Sequence, residues 1–237
     1  MSSPRISYVV PIHDEEAILH AAVADLRERL RPLGYDWELV LAENGSRDGT
    51  VRVAEEIAAK WPEVSWFSID EPNYGRALRE GIERARGELV VCEEIDLCDV
   101  DFHQRAIAML DRDEAELVVG SKLLEGARDQ RPMFRHAASL AYSAMLRALF
   151  DFRGTDTHGL KAFRKSALLD VVRACVVDRD VFASELVIRA HRAGKRVREI
   201  PVRVMEKRPP SIGLLSRVPS VLRRVAELRR ALGTEGR

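Results

Sequence analysis

Acidic side chains follow two of the apolar runs in this chain, at the point where each run ends. Glu43 comes directly after ELVLA, and Glu94 and Asp96 come shortly after ELVVC. Alternate residues of a strand point to the same side, so Glu94 and Asp96 can face one cation. Carboxylate oxygens are the ligands that suit Mg²⁺ or Mn²⁺. The spacing therefore predicts a divalent cation with Glu94 and Asp96 as its ligands.

The acidic stretch around Glu94 also has a structural interpretation. Asp99 or Asp101 would suit the N-cap of a following helix, and such a cap is compatible with cation binding by the residues before it. Two like charges about 4 Å apart repel by about 4 kcal/mol at an effective dielectric near 20. The five carboxylates between residues 93 and 101 therefore favour a counter-cation.

Two more polar turns follow apolar runs nearer the N-terminus. In VVPIHDEE, Pro11 ends a strand, and His13 and Glu15 follow it. Capping of the next helix explains the acidic residues there equally well. In ENGSRDGT, Glu43 precedes the turn, where its side chain would point into a ligand crevice, and Asp48 would cap the following helix.

Apolar runs rich in β-branched residues alternate with stretches of helical periodicity along most of the chain. This alternation predicts an α/β fold, with a mostly parallel sheet covered by helices on both faces. Ligands bind such sheets at the carboxyl ends of the strands, where the polar turns lie. The expected strands are ISYVVPI, WELVLA, VSWFSI, ELVVC, AELVVG, LKAF and VREIPVRV, and the expected helices span residues 15–30, 48–59, 74–85, 102–110, 135–150, 166–175, 181–193 and 214–232.

Two segments depart from this alternation. After Lys122 the stretch LLEGARDQRPMF has no periodicity and combines Gly, Pro and mixed charge, which predicts a mobile loop. The last helix, 214–232, sets Leu, Val and Ala against many arginines. Such an amphipathic helix suits a lipid interface, and it suits docking on the core or on a second subunit equally well. The helix at 135–150 leaves the same alternatives open.

Composition excludes several classes of protein. The 237 residues suffice for one large α/β domain or two small ones, and 46% hydrophobic residues can supply a core. With 38 basic and 38 acidic residues, no overall charge draws the chain to nucleic acid. Three cysteines without a paired spacing indicate a reducing cytoplasm. We expect neither a secretory signal nor a membrane-spanning helix.

Seven motifs follow one another over residues 5 to 205; they are VVPIHDEE, ENGSRDGT, NYGRALREGIERARGE, EEIDL, GSK, TDTHGLKAFRK and REIPV. In this order they resemble the inverting glycosyltransferases of family 2 with the GT-A fold, and within them the polyprenol (dolichol) phosphate sugar synthase-like branch. The resemblance implies a GT-A domain over 1–205, with a nucleotide-sugar half (1–122) and an acceptor half (123–205), followed by a tail and helix (206–237).

The departures from the family pattern fall where the chemistry is expected. His13 and Asp14 stand for the usual Tyr and Asn, and Glu43 and Asn44 stand for a pair of Asp residues. Glu94 replaces the first Asp of DADL, which lengthens that side chain by one methylene. In the DxxxG segment, the family's Asp falls on Thr155, with Asp156 next to it; no role is assigned to Asp156 from the sequence.

The resemblance implies a role for each matching position. Pro11, His13 and Glu15 would line the nucleoside pocket with Glu43 at the base or ribose, and Asn73 and Gly75 would shape the nucleotide side of the cleft. A structural role for Gly75, at the opening of a helix, explains it equally well. Glu94 and Asp96 would hold the Mg²⁺ or Mn²⁺ that bridges the diphosphate, so Asp96 counts as catalytic.

The resemblance also implies an acceptor. A polyprenyl phosphate oxygen is already anionic and needs cations rather than a base. The cations available in that half of the chain are Lys122, Arg135, Lys161 and Arg164, of which Lys122 and Lys161 fall within motifs. A hydroxyl acceptor would instead need a general base, for which Asp180 is preferred over Glu185. A helix-surface charge or an i,i+4 pair with Arg189 is the structural alternative for Glu185.

Three functions compete at this point. The first is a metal-dependent glycosyltransferase that works in the cytoplasm, with peripheral contact at the inner face of a membrane. The second is a non-catalytic nucleotide-sugar-binding relative, which the altered ENGS and EEIDL motifs would suit. The third, a dinucleotide-binding oxidoreductase, is disfavoured because no GxGxxG follows a strand. The chain is not expected to bind nucleic acid, and the sequence leaves its oligomeric state open.

Overall fold

Seven strands form one sheet in the computed structural model, which describes residues 3–69, 71–95, 99–204 and 214–234, without the side chains of 180, 214–217 and 234. The strands of the described residues are β1 Ile6–Ile12, β2 Trp37–Asn44, β3 Val64–Ile69, β4 Leu89–Cys92, β5 Leu117–Ser121, β6 Arg128–Asp129, β7 Lys161–Arg164, β8 Val197–Pro201 and β9 Arg203–Val204. Of these, the two short strands β6 and β9 form a separate two-stranded sheet. The main sheet has the order β3-β2-β1-β4-β7-β5-β8, and β7 runs antiparallel to its neighbours. The mostly parallel sheet predicted from the sequence is confirmed.

Helices cover both faces of this sheet, also as predicted. They are α1 Leu19–Leu30, α2 Thr50–Lys60, α3 Tyr74–Arg84, α4 Val100–Asp111, α5 Met133–Phe150, α6 Lys165–Ala174, α7 Phe182–Arg192 and α8 Leu214–Thr234. The apolar sides of α1, α2 and α4 form one core with the sheet, and those of α3 and α5–α8 form a second core on the opposite face. The side chains of β1 alternate between the two cores. Tyr8 and Val10 belong to the first core, and Val9 belongs to the second.

The strand order reverses beside β1, and this reversal sets the place where a ligand can bind. β2 pairs with one side of β1 and β4 with the other, both in parallel. Helix α1, which leads from β1 to β2, and helix α3, which leads into β4, pack on opposite faces of the sheet, so a crevice opens beyond the carboxyl ends of these strands. Ile12 lies opposite Glu43, and Val9 lies opposite Cys92. The polar turns that follow β1, β2 and β4 are therefore neighbours in space.

Helix α1 begins at Leu19, four residues after the predicted start, because the backbone before it is bonded to residues at the start of α2. The backbone N–H of Glu15 donates to Thr50 Oγ1 at 2.7 Å, and that of Glu16 donates to Asp48 Oδ2 at 3.1 Å. No acidic residue lies in the first turn of α1. Helix capping is therefore the wrong explanation for this acidic stretch.

The predicted loop after Lys122 contains regular structure. Residues 128–129 form β6, which pairs with β9, and α5 already begins at Met133. The expected strand VREIPVRV is in fact two strands, since β8 stays in the main sheet and β9 leaves it. Two-residue strands pair through their backbones, as in the hydrogen bond from the N–H of Arg128 to the carbonyl of Val202. Such a short pairing produces no hydrophobic periodicity in the sequence, so the sequence does not predict it.

Helix α8 docks on the core, which was one of its predicted alternatives. Val225, Leu228 and Leu232 are buried in the same core as Leu146 and Phe150 of α5. Among the helices that the structure describes, none is both long enough and apolar enough to span a bilayer.

Candidate functional site

The turns after β1 and β2 are bound to each other. The backbone N–H of Asp14 donates to Ser46 Oγ at 3.0 Å, and Asp14 Oδ1 accepts from the N–H of Arg47 at 2.8 Å. Two residues further along, Glu16 Oε2 accepts from the N–H of Gly49 at 2.9 Å. Asp14 has φ of 53°, a left-handed conformation that these reciprocal bonds support. The first two polar turns therefore form one rigid rim of the crevice.

Glu43 lies inside this rim, with no exposed surface. One of its carboxylate oxygens accepts from the N–H of Ser46 at 2.5 Å, and the other accepts from the hydroxyl of Ser68. The sequence placed this side chain in the crevice. Instead it lies beneath the turn, and both of its oxygens brace the backbone.

His13 is the more accessible group at this rim. Its Nδ1 donates to the carbonyl of Asn44 at 2.8 Å, which fixes the ring and leaves Nε2 on the other side, 3.5 Å from Asp14 Oδ2. The side chain is 38% exposed. Pro11 and Glu15, the other residues predicted to line a nucleoside pocket, are each partly exposed at the same end of β1.

Asn73 joins three segments of the chain. It is the N-cap of α3, where its Oδ1 accepts from the N–H of Arg76 at 3.1 Å. The same oxygen accepts from the N–H of Arg179 at 3.0 Å, and the backbone N–H of Asn73 donates to Asn44 Oδ1. Asn73 is buried and its Oδ1 is fully used within the protein. The residue predicted to shape the nucleotide side therefore acts on the backbone of two loops.

Gly75 allows the same loop to approach α3. A Cβ at this position would lie 2.7 Å from the backbone nitrogen of Arg179 and 2.7 Å from the Cβ of Phe182. The structural alternative for Gly75 thus has direct geometric support. The loop it admits is the 3₁₀ turn Arg179–Val181, which contains Asp180. The side chain of Asp180, the predicted base for a hydroxyl acceptor, lies outside the described residues.

Glu185 is neither a base in a cleft nor a surface charge. It is fully buried, and it pairs with Arg189 Nε at 2.7 Å, as the i,i+4 alternative predicted. Its carboxylate also accepts from the backbone N–H groups of Val176 and Val177. These contacts fix the segment that leads into the 3₁₀ turn.

The end of β4 presents one buried and one exposed carboxylate. Glu93 is buried against His103 of α4, whose Nε2 donates to it, while Glu94 is exposed. The other Glu93 oxygen accepts from the backbone N–H of Glu94 at 3.0 Å. Asp99 caps α4 by accepting from Phe102, as predicted. Asp96, the second predicted metal ligand, lies outside the described residues.

The donor atoms at this point fit a hard divalent cation. Glu94 is an exposed carboxylate at the mouth of the crevice, and carboxylate oxygen is the preferred ligand of Mg²⁺ and Mn²⁺. Within the ranges that the structure describes, no three Asp, Glu, His or Cys side chains gather into a metal site. The assignment of Glu94 and Asp96 as a pair of ligands stays a prediction.

Lys161 is a buried cation beside the end of β4. It lies opposite Cys92 in the antiparallel pairing of β4 and β7, and its Nζ donates to the carbonyl of Gly159 at 2.8 Å. Burial lowers the pKa of Lys161, against the attraction of Asp156 and Glu94. Burial likewise raises the pKa of Cys92 to about 12, so this thiol stays protonated at neutral pH.

Lys122 and Asp156 form a buried ion pair next to Lys161. Lys122 Nζ lies 2.6 Å from Asp156 Oδ2, and Asp156 Oδ1 accepts from the N–H of His158 at 2.9 Å. Burial alone would raise the pKa of Asp156, but Lys122 and these hydrogen bonds outweigh it and lower that pKa. Asp156, to which the sequence assigned no role, is thus the carboxylate that holds Lys122.

Glu199 of β8 holds the loop that presents Asp156. Its two oxygens accept from the N–H of Thr155 at 2.8 and 2.9 Å, from the Thr155 hydroxyl at 2.7 Å and from the N–H of Asp156 at 3.1 Å. Sequence reasoning passed over Glu199 as a functional residue. The sequence feature that could have identified Glu199 is its position within the REIPV motif.

The four predicted acceptor cations do not lie together. Lys122 and Lys161 are at the carboxyl end of the sheet, and Arg135 is on α5, partly exposed. Arg164 lies opposite Leu89 at the other end of β4, where it pairs with Glu88 and donates to the carbonyl of Leu110 at 2.9 Å. Three residues of extended strand span about 10 Å, which removes Arg164 from the lysines. The acceptor role predicted for Arg164 is therefore wrong.

Comparison with known proteins is consistent with this geometry. The sequence matches the profile of "Glycosyl transferase family 2" over residues 7–172. The chain belongs to glycosyl transferase family 2. Glycosyltransferase AglD of Haloferax volcanii is 31% identical over 205 residues, which are 84% of this chain and 32% of that protein.

Other relatives of this family 2 chain carry lipid-phosphate names. Dolichyl-phosphate beta-glucosyltransferase ALG5D of Trichomonas vaginalis is 28% identical, over 83% of this chain and 64% of that protein. Undecaprenyl-phosphate 4-deoxy-4-formamido-L-arabinose transferase of Pseudomonas fluorescens is 28% identical, over 85% of this chain and 58% of that protein. The chain thus spans about one third to just under two thirds of the length of these curated relatives.

Solved structures show that the fold is of the GT-A type. Glucosyl-3-phosphoglycerate synthase of Mycobacterium tuberculosis, in complex with Mn²⁺, UDP and glucosyl-3-phosphoglycerate, superposes with a TM-score of 0.65 at 22% identity, over 97% of this chain and 80% of that one. Mannosyltransferase PcManGT of Pyrobaculum calidifontis, in complex with GDP-Man and Mn²⁺, superposes with a TM-score of 0.57 at 21% identity, over 87% of this chain and 59% of that one.

Proposed function

We propose that this family 2 chain transfers a sugar, with inversion, from a nucleotide-sugar donor to the phosphate of a polyprenyl phosphate. The observation that carries the proposal is the enclosure of two lysines next to the strand end that bears Glu94. Lys161 is buried, the side chain of Lys122 is 9% exposed, and the two are close enough to interact electrostatically. Lysines that serve only solubility lie in water, whereas these two lie at the edge of the sheet where ligands bind.

The acceptor chemistry follows from these lysines. A phosphate oxygen is already anionic at neutral pH, so it can attack the anomeric carbon without a general base. Lys122 and Lys161 would attract and orient that phosphate, and the Asp156 contact keeps Lys122 in place before the acceptor arrives. The names of the relatives, which specify dolichyl and undecaprenyl phosphate acceptors, support this class of acceptor.

The donor would lie across the rim formed by the turns after β1 and β2. We assign His13, Pro11 and Glu15 to the nucleoside pocket, because each is accessible at the carboxyl end of β1. Glu43 and Asn73 shape that pocket from beneath, since their polar atoms are used within the protein. The UDP and GDP-Man held by structures of the same fold support a nucleoside diphosphate here.

A divalent cation would be held by Glu94 and Asp96. When bound, such a cation stabilises the charge that develops on a departing nucleoside diphosphate. The exposed carboxylate of Glu94 and the Mn²⁺ in structures of the same fold support this assignment. Lys161, which interacts electrostatically with Glu94, links the cation site to the acceptor side.

The proposed acceptor also places the work of this chain at a membrane. Polyprenyl phosphates are membrane lipids, and cytoplasmic nucleotide sugars would reach them from the inner face. On this proposal, residues 1–122 bind the donor and residues 123–205 bind the acceptor, with Lys122 at the boundary reaching the acceptor phosphate. The two halves meet where Lys122 of the first pairs with Asp156 of the second.

Turnover by the purified chain tests the proposal. The chain would be incubated with Mn²⁺, a short-chain polyprenyl phosphate and each of UDP-, GDP- and dTDP-sugars, with glycolipid detected by mass spectrometry. We expect one donor to give a polyprenyl-phosphate sugar of inverted anomeric configuration, and Asp96→Ala to abolish it. Donor binding without turnover on any lipid phosphate would favour the non-catalytic alternative, which the altered EEIDL motif suits.

If the acceptor is a hydroxyl group instead, sugar transfer should depend on a different residue. There Asp180→Asn would abolish transfer, because a base must take the hydroxyl proton. For a phosphate acceptor the same substitution leaves transfer largely intact. Comparing Asp180→Asn with Lys161→Gln therefore separates the two acceptor classes.

A further inference from the structure

The solvent-facing side of α5 is mostly apolar, with the exposed Arg147 near its C-terminal end. Met133 is 89% exposed, Phe134 60% and Leu140 45%, which makes them three of the most exposed large hydrophobic side chains in the described residues. Four exposed alanines extend the same side toward the C-terminal end of the helix; they are Ala137, Ala141, Ala144 and Ala148. We call this surface the α5 face. A soluble helix normally presents charged or polar residues on such a side.

The α5 face lies in a strongly basic part of a neutral chain. Helices α5 and α8 contact each other, and together they contain seven arginines and one glutamate. The whole chain has 38 basic and 38 acidic residues, so the rest of it carries an acidic excess. The arginines of the two helices are Arg135, Arg147, Arg217, Arg223, Arg224, Arg229 and Arg230. The local charge therefore selects an anionic partner.

The same charge argues against self-association through this face. In a symmetric dimer each copy would bring its own basic helices to those of the other, and like charges would repel. An acidic bilayer surface has the opposite charge, and it also accepts apolar side chains at the depth of the headgroups. Leu222 of α8, 51% exposed and next to Arg223, repeats the combination of an apolar and a cationic residue.

The core-facing side of α5 packs against the loop that holds Lys122. The ring of Tyr142 on α5 packs edge-on against the ring of His158, with 4.9 Å between their centroids. The backbone N–H of His158 donates to Asp156, which holds Lys122. A phosphate held at Lys122 would therefore bring its hydrocarbon tail out next to α5.

We propose that the α5 face, with the basic side of α8, docks the chain on an anionic lipid bilayer. Met133, Phe134 and Leu140 enter the headgroup region, and the arginines supply the attraction to anionic lipids. Docking itself needs no acceptor and no turnover. Only the alignment of the face with a lipid phosphate rests on the proposed function.

Flotation with vesicles that contain no polyprenyl phosphate tests the docking. The chain is expected to float with vesicles of phosphatidylcholine and phosphatidylglycerol and to stay in solution with phosphatidylcholine alone. The triple variant Met133→Ser, Phe134→Ser and Leu140→Ser should lower partitioning by about tenfold or more. Val176→Ser, at a residue that is 58% exposed but lies outside α5, is the matched control and should bind like the wild type.

A second variant reports insertion directly. In Phe134→Trp, the added tryptophan emission should shift to the blue on vesicle binding and be quenched by brominated lipids. The proposal is overturned if the wild type stays in solution with anionic vesicles, or if the Phe134→Trp emission does not respond to them. It is also overturned if light scattering shows a wild-type dimer that the triple variant dissociates, because the face would then bind a second copy.

The two proposals can fail separately. If no sugar transfer is found with any acceptor, flotation still decides the docking. If both proposals hold, the triple variant should keep its activity on a short, water-soluble acceptor and lose activity on a long-chain acceptor in vesicles.

Discussion

The side-chain oxygen of Asn73 accepts a hydrogen bond from the backbone N–H of Arg179, with 3.0 Å between Oδ1 and N. Because Asn73 is also bonded to Asn44, this contact connects the turn after β2 to the 3₁₀ turn that carries Asp180. Arg179 has φ of 62°, a conformation that side chains other than glycine adopt only with support. Asn73 therefore determines where the 3₁₀ turn lies relative to the donor side of the crevice.

Substitution of Asn73 by Ala should reduce turnover far more than nucleotide binding. Loss of Oδ1 leaves the N–H of Arg179 and the first turn of α3 without their acceptor, so the 3₁₀ turn shifts. A misplacement of about 1 Å can reduce the rate about 100-fold. Steady-state kinetics would give kcat, and calorimetry would give the Kd of the nucleoside diphosphate.

The opposite pattern would contradict this role. A raised Kd with kcat unchanged would show that Asn73 contacts the nucleotide directly, as the family resemblance implies. Arg79→Gln provides a comparison, because Arg79 pairs with Asp178 in the same loop, and Asp178 also accepts from Asn73 Nδ2 at 3.4 Å. It should lower kcat in the same direction and leave the Kd unchanged.

The sheet and its crevice could be predicted from the sequence, because burial on both faces leaves continuous apolar runs and polar residues follow them. The orientation of single side chains could not. Glu43 was placed at the right strand end, but its use beneath the turn depends on Ser68 of the neighbouring strand, which is 25 residues away. Arg164 failed for a related reason, since the antiparallel direction of β7 puts Lys161 and Arg164 at opposite ends of one strand.

The different placement of Lys161 and Arg164 predicts different effects of substitution. Lys161→Gln should lower kcat/KM for a lipid phosphate by about 100-fold, because a charge aimed at the transferring group is lost. Arg164→Gln should stay within about threefold of the wild type in kcat/KM, and it should lower the free energy of unfolding by about 1 kcal/mol through the loss of its Glu88 and Leu110 contacts. Kinetics and urea unfolding of both variants would check this pair. Equal losses of activity in the two variants would mean that Arg164 also acts on the acceptor.

The Lys122 and Asp156 pair should make stability depend on pH in the acid range. The pKa of Asp156 is lowered from 3.8 in the folded chain. Its contribution is therefore present above about pH 4, and it is lost as the pH falls through the lower, folded pKa. Asp156→Asn removes that contribution and leaves Lys122 buried without its partner, which costs about 3 kcal/mol at neutral pH.

Urea unfolding at neutral and acid pH would measure this effect. The free energy difference between wild type and Asp156→Asn should be largest near pH 7 and should shrink below pH 4. Asp25→Asn is the control, because Asp25 forms an exposed pair with Arg29 on α1 and should change stability by less than about 0.5 kcal/mol. A difference for Asp156→Asn that is constant down to the acid limit would show that Asp156 is not charged in the folded chain.

The contact between Glu93 and His103 should set the affinity for the cation. Glu93 bonds both to His103 of α4 and to the backbone N–H of Glu94. It therefore holds the backbone of Glu94, the proposed ligand, in place. Supporting contacts of this kind typically change metal affinity by about 10- to 100-fold when they are removed. Glu93→Ala should therefore weaken Mn²⁺ binding by about that factor, which paramagnetic resonance would measure by titration with a nucleoside diphosphate present.

Two further variants separate positioning from a loss of folding. Glu93→Gln keeps the shape and one acceptor oxygen, so it should restore Mn²⁺ affinity to within about threefold of the wild type if position rather than charge is what matters. His103→Phe preserves the packing against Tyr8 and removes only the bond to Glu93, so it should weaken Mn²⁺ binding in the same direction as Glu93→Ala. If all three variants bind Mn²⁺ like the wild type, the buried pair supports the fold alone, and the position of Glu94 is set by other contacts.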